Sequence, residues 1–138
     1  MTIHVLALEK DLFFSVKMRD TLRYYDIEVK TVRNLPAFDD SLAAKDDQKF
    51  ALAIVNIATI GVDWETAIRK ARLAGLQVLA FGSHMDLEAR SKALEAGARR
   101  VVANSKFTSD MPALVQRMLD EPDDTSLNEI ESKPESAV

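Results

Sequence analysis

The sequence predicts one open α/β domain, a parallel sheet with helices on both faces. Three observations carry this: short apolar runs recur five times, segments of helical period separate them, and the connections are short. Ile3–Leu8 is the first run, nearly continuous in apolar residues, as a strand inside a parallel sheet would be. Asp11 to Tyr25 follows as a helix, with Phe14, Met18, Leu22 and Tyr25 on one stripe facing the sheet, and Phe13 off that stripe beside Val16. Ile27–Val32 alternates apolar with polar residues, the pattern of a sheet edge. Asn34-Leu-Pro36 opens a short helix to Ala44 with a proline in its first turn. Phe50–Val55 and Gln77–Phe81 read as central strands, and Arg100–Ala103 as the fifth. Asp63 and Asp86 suit the N-caps of helices ending near Ala74 and Ala96, where Gly75 and Gly97 supply left-handed termini; a last helix spans Ser109 to Leu119. For five such strands the expected order is 2-1-3-4-5, a flavodoxin-like three-layer sandwich. Functional groups then gather beyond the C-terminal strand ends, at Glu9, Lys10, Asp11, Asn56, Gly82, Ser83, Asn104 and Lys106.

Composition narrows the function. The 138 residues contain no cysteine, which excludes disulfides, thiolate metal sites and cysteine nucleophiles and suits a cytoplasmic protein. Eighteen basic against 22 acidic residues argue against nucleic-acid binding, and no apolar run is long enough for a membrane span. The charge is uneven: residues 121–138 hold six acids and one lysine, so the domain expected over residues 1–120 is close to neutral. That acidic tail reads as a flexible extension, although Ser126 and Glu129 have the spacing of a helix cap. No cofactor is expected, because four scattered glycines form no phosphate loop and two distant histidines form no metal constellation. Ser83-His84 lacks the nucleophile elbow of a hydrolase, so no enzyme is expected either.

The stretches Val5-Leu-Ala-Leu-Glu-Lys-Asp11, Val78-Leu-Ala-Phe-Gly-Ser83 and above all Leu94-Glu-Ala-Gly-Ala-Arg-Arg-Val-Val-Ala103 resemble the receiver domain of bacterial two-component response regulators, over about residues 2 to 120. That resemblance implies a phosphoacceptor aspartate after strand three, where this chain has Asn56. It implies acidic magnesium ligands after strand one, where the chain reads Glu9-Lys10-Asp11. It implies a hydroxyl residue after strand four, where Gly82 stands with Ser83 adjacent, and a lysine after strand five, where Asn104 stands with Lys106 two places on. The aromatic switch position falls on Val101. An amide is no nucleophile toward phosphoryl groups, and an ammonium where a divalent cation should sit opposes metal binding. The resemblance is therefore to an atypical receiver, with Lys10 expected to pair with Glu9 or Asp11 or to reach Asn56.

The expected function is a stand-alone receiver-like domain that signals through a protein partner or self-association. Its expected surface is the face of helix four, strand five and helix five, carrying Arg90, Lys92, Arg99 and Arg100. Two alternatives stand beside it: a small-molecule sensor or enzyme using the strand-end cleft, and phosphorylation at Ser83 or Thr59.

Overall fold

Residues 2–44 and 49–121 are described by the computed structural model of the chain. The apolar runs form β1 (Ile3–Leu8), β2 (Ile27–Val32), β3 (Phe50–Asn56), β4 (Gln77–Gly82) and β5 (Arg100–Ala103). Between and after them lie α1 (Leu12–Arg23), α2 (Leu35–Ala43), α3 (Trp64–Leu73), α4 (Leu87–Ala96) and α5 (Asn104–Asp120). All strand pairs are parallel and the order is β2-β1-β3-β4-β5, as the sequence predicts.

Alternation along each strand divides the core into two layers. Leu6, Leu8, Ala53, Val55, Val78 and Ala80 join residues of α2, α3 and α4 on one face. Val5, Ala7, Leu52, Ile54, Leu79 and Phe81 join Met18, Leu22, Phe107, Met111 and Val115 of α1 and α5 on the other. Edge strand β2 shows the expected alternation of burial, while β1, β3 and β4 are buried on both faces over most of their length.

The helix boundaries follow from their caps. Asn34, Asp63 and Asp86 each accept a hydrogen bond from the backbone N–H three residues on, at 2.8, 3.1 and 3.0 Å. Asp11 caps α1 in the same way through Phe14 N at 3.2 Å. Gly97 ends α4 at φ 121°, and a Cβ there would stand 2.7 Å from Arg72 Cγ, so both its conformation and its crowding require glycine.

Two expectations need correction. Tyr25 does not extend the α1 stripe to the sheet: it lies beyond the helix end and is 56% exposed. The last helix starts at Asn104, directly after β5, with a break at Asp110 (φ −117°, ψ 19°) just before Pro112. Proline cannot donate to the preceding turn, so the break falls there and only the second segment matches the expected Ser109–Leu119. The first segment exists because it sets Phe107 into the core, stacked on Phe81 with ring centroids 4.2 Å apart, and Phe14 leans on both rings.

This aromatic trio ties α1, β4 and α5 together directly beneath the strand ends. Removing the fully buried Phe107 ring strips one face of Phe81, so Phe107→Ala is expected to lower stability by about 3–5 kcal/mol in urea denaturation. A loss below about 1 kcal/mol would mean that the first segment of α5 is not packed as described.

Candidate functional site

Register places the site. Leu8 of β1 lies beside Val55 of β3, so the next residue on each strand, Glu9 and Asn56, emerges side by side at the C-terminal edge. Asn56 Nδ2 donates to both carboxylate oxygens of Glu9, at 2.9 and 3.1 Å, and the Asp11 backbone N–H donates to Glu9 Oε2 at 3.1 Å. The other end of the amide is also fixed, because Asn56 Oδ1 accepts from Ala58 N at 2.8 Å. With both ends engaged by groups of opposite hydrogen-bonding sense, the amide has one satisfactory orientation.

Glu9 is only 2% exposed. Burial raises its pKa above the ordinary 4.5, and the hydrogen bonds from the Asp11 N–H and the Asn56 amide oppose that rise without cancelling it. The amide thus does for the buried carboxylate what a cation would otherwise do, supplying donors where water has been removed.

Lys10 does not supply that compensation. It neither pairs with Glu9 or Asp11 nor reaches Asn56 among the described residues; its exposed Nζ donates to the Ile60 carbonyl at 3.5 Å, across the β1–α1 and β3–α3 loops. The reason is that Glu9 is already engaged by the amide, and a strongly hydrated ammonium keeps to the surface. Asp11 is occupied as the cap of α1. These residues do not fit a divalent cation: an amide NH2 group points at the one buried carboxylate, and no cluster of three potential ligands is present among the described residues.

The remaining positions are closed in different ways. At Gly82 an added Cβ would stand 2.7 Å from Ile57 Cγ1, so Ile57, held by its N–H to the Phe81 carbonyl at 2.9 Å, occupies the space a hydroxyl side chain would need. Ser83 is exposed, and its Oγ accepts from Met85 N at 3.2 Å within the β4–α4 turn. Thr59 Oγ1 is shielded from solvent. Asn104 and Lys106 belong to the first turn of α5 and not to a loop; Lys106 Nζ lies 3.3 Å from Asp110. Val101 is a small, buried core residue on β5.

Arg99 corrects the expected partner surface. It is 4% exposed and donates to Gln77 Oε1 at 3.2 Å, so it is a core-edge residue at the N-terminal end of the sheet. Arg90 and Arg100 are half-buried, and Lys92 is exposed, 3.2 Å from Glu88. A cavity of about 390 Å³ does exist at the rim, but it lies between α3 and α4, lined by Trp64, Asp63, Glu65, Asp86 and Lys92 among others, and not over Glu9 and Asn56.

Two features were not anticipated, beyond the placing of Phe13 off the sheet-facing stripe of α1. One is Ile57, whose role follows only from its contact with Gly82. The other is an exposed apolar rim: Leu12, Phe13, Ile60, Met85 and Leu87 all sit in the connections or first helical turns after β1, β3 and β4, at 64–90% exposure. Each had been readable as an apolar residue beside a cap or turn.

No protein-family model matches the chain, and no curated protein matches it. Solved structures do. A response regulator from Thermotoga maritima superposes with a TM-score of 0.74 at 15% identity, covering 88% of this chain and all of that one. The receiver domain of a sensor histidine kinase from Pseudomonas aeruginosa, with a magnesium ion coordinated in its active-site cleft, gives 0.73 at 17% identity over 88% of this chain and 100% of that chain. Adenylate cyclase from Rhodopirellula baltica gives 0.71 at 23% identity over 96% and 99%. The chain therefore has the receiver, or CheY-like, fold.

Two substitutions test the site. Asn56→Asp replaces two donors by a second carboxylate beside a buried one, and should destabilise the protein by about 1–3 kcal/mol at neutral pH in chemical denaturation. An unchanged midpoint would contradict the clamp. Glu9→Gln tests the raised pKa. An acid whose pKa rises on folding stabilises the fold most while protonated, and that contribution is lost as pH climbs from 4.5 through the folded value. The melting temperature of Glu9→Gln should therefore gain on the natural protein as pH rises from below 4.5 to neutrality, whereas a constant difference would show Glu9 unperturbed.

Proposed function

We propose that this chain is a receiver-like signalling module that acts by binding another protein and carries no phosphoryl group at the end of strand three. The observation that carries this reading is the clamp between Asn56 and Glu9. The residue at the phosphoacceptor position is an amide with no nucleophilic oxygen to offer, and its two ends are engaged by Glu9 and the Ala58 N–H. Crowding at Gly82, the withdrawal of Lys106 to Asp110 and the exposed position of Lys10 support the same conclusion from three other sides of the cleft.

The apolar rim is what supports binding. Large hydrophobic side chains clustered at one end of a domain mark an interaction surface when they stand this far from the core. Phe13 at 90% and Ile60 at 87% are the most exposed of that group. The surface continues through Leu87 onto α4, where Lys92 and the half-buried Arg90 offer basic groups to an acidic border on the partner. The partner is thus a protein with an apolar centre, and signalling proceeds in trans within the cytoplasm. Among the described residues no helix is long and apolar enough to cross a membrane.

The test is intact-mass measurement after incubation with acetyl phosphate and magnesium, run beside a phosphorylatable receiver as control. The natural protein should show no acid-labile or stable phosphoryl adduct. Stoichiometric labelling, at any residue, would overturn the reading, and peptide mapping would name the acceptor.

A further inference from the structure

The cavity between α3 and α4 is the part of the rim that the clamp leaves unexplained. Ile57 and Val62 give it an apolar lining, and one wall is Trp64, the single tryptophan of the chain. The half-buried Trp64 packs on the core beneath α3 and still borders the cavity, and its backbone N–H donates to the Val62 carbonyl at 2.9 Å. A volume of about 390 Å³ accommodates one long side chain and falls within the range of ligand sites.

The charge of the lining is one-sided. Asp63, Glu65, Asp86 and Glu88 contribute four carboxylates, and Lys92 is the one cation on the lining among the described residues. Three negative charges remain, of which the N-termini of α3 and α4, at about +0.5 each, offset only about one. Asp63 and Asp86 are helix caps, and the Thr66 hydroxyl and N–H hold the Asp63 carboxyl below its ordinary 3.8, so it is ionised at neutral pH. Glu65 and Glu88 pair along their own helices, with Arg69 at 3.7 Å and Lys92 at 3.2 Å. Exposed pairs of this kind are weak and exchange for a better-matched cation. Large apolar side chains flank the cavity on the same two connections: Ile60 stands two residues before Val62, and Met85 and Leu87 stand on either side of Asp86.

We propose that this cavity receives an arginine side chain of the partner protein, carried on a segment that sets apolar residues against Ile60, Met85 and Leu87. This role presupposes that the rim binds a protein, and it gives that protein's anchoring residue. A guanidinium suits the lining on three counts: its plane stacks on an indole, its fork meets carboxylates two oxygens at a time, and its weak hydration eases its removal from water. An acidic side chain is repelled by the same lining.

The probe is the blocked tripeptide acetyl-Leu-Arg-Leu-amide, titrated into the full chain, with acetyl-Leu-citrulline-Leu-amide as its uncharged match. Trp64 fluorescence and the amide and indole N–H resonances report binding. The arginine peptide should give saturable shifts at Trp64, Glu65 and Glu88 at millimolar concentration and bind about tenfold more tightly than the citrulline peptide. Glu65→Gln with Glu88→Gln should abolish that preference while leaving the caps Asp63 and Asp86 in place. Equal binding of the two peptides, no saturable response, or a preference that survives the double substitution would each overturn the proposal. The comparison of the two peptides on the natural protein stands whether or not the variant folds. A failed titration removes the arginine anchor and leaves the phosphoryl-adduct measurement untouched, whereas a stoichiometric adduct removes the unphosphorylated reading and leaves the titration untouched.

Discussion

A buried carboxylate must be given donors, and in this domain Glu9 takes them from Asn56. The constraint comes from the sheet. Once β1 and β3 are paired in register, their next residues meet at an edge that helices and loops have closed to water, and Glu9 is left with almost no exposed surface. A carboxylate pair there would need a cation. An amide and a carboxylate need nothing further, because the amide donates on one side and accepts from the Ala58 N–H on the other.

The neighbouring side chains are arranged around that pair. Lys10 lies at the surface, where it bridges to the Ile60 carbonyl, and Asp11 caps α1. The space beside Gly82 is filled by Ile57, and α5 starts directly at the end of β5. The stacked Phe81 and Phe107 rings, braced by Phe14, then lock β4, α1 and α5 into one packed unit beneath the clamp. The same edge exposes the apolar side chains of Leu12, Phe13, Ile60, Met85 and Leu87.

Much of the fold was legible because apolar runs of β1, β3 and β4 and the caps Asn34, Asp63 and Asp86 are local signals. The site was legible in position but not in contacts. Asn56 and Glu9 could be placed on one rim, but their contact was not foreseen; that the amide takes both carboxylate oxygens depends on burial, which only packing sets. Lys10 was misread for the same reason, since its expected partner was already engaged. Arg99 looks like a surface cation beside Arg100, yet the Gln77 side chain lets it enter the sheet edge. The start of α5 was missed because Asn104-Ser-Lys has no apolar period, and only the pull of Phe107 into the core makes it helical. The acidic segment from Pro122 onward, with the cap expected at Ser126 and Glu129, lies outside the described residues.

The most direct test follows the Asn56 side-chain amide by NMR while magnesium and beryllofluoride are added together. The clamp predicts that its two NH2 resonances stay where they are, distinct from each other and slow to exchange, because both ends of the amide are already bonded. Saturable shifts of those resonances, accompanied by shifts at Gly82 and Lys10, would mean that the cleft accepts a cation and a phosphoryl mimic, and the account of a closed site would be wrong.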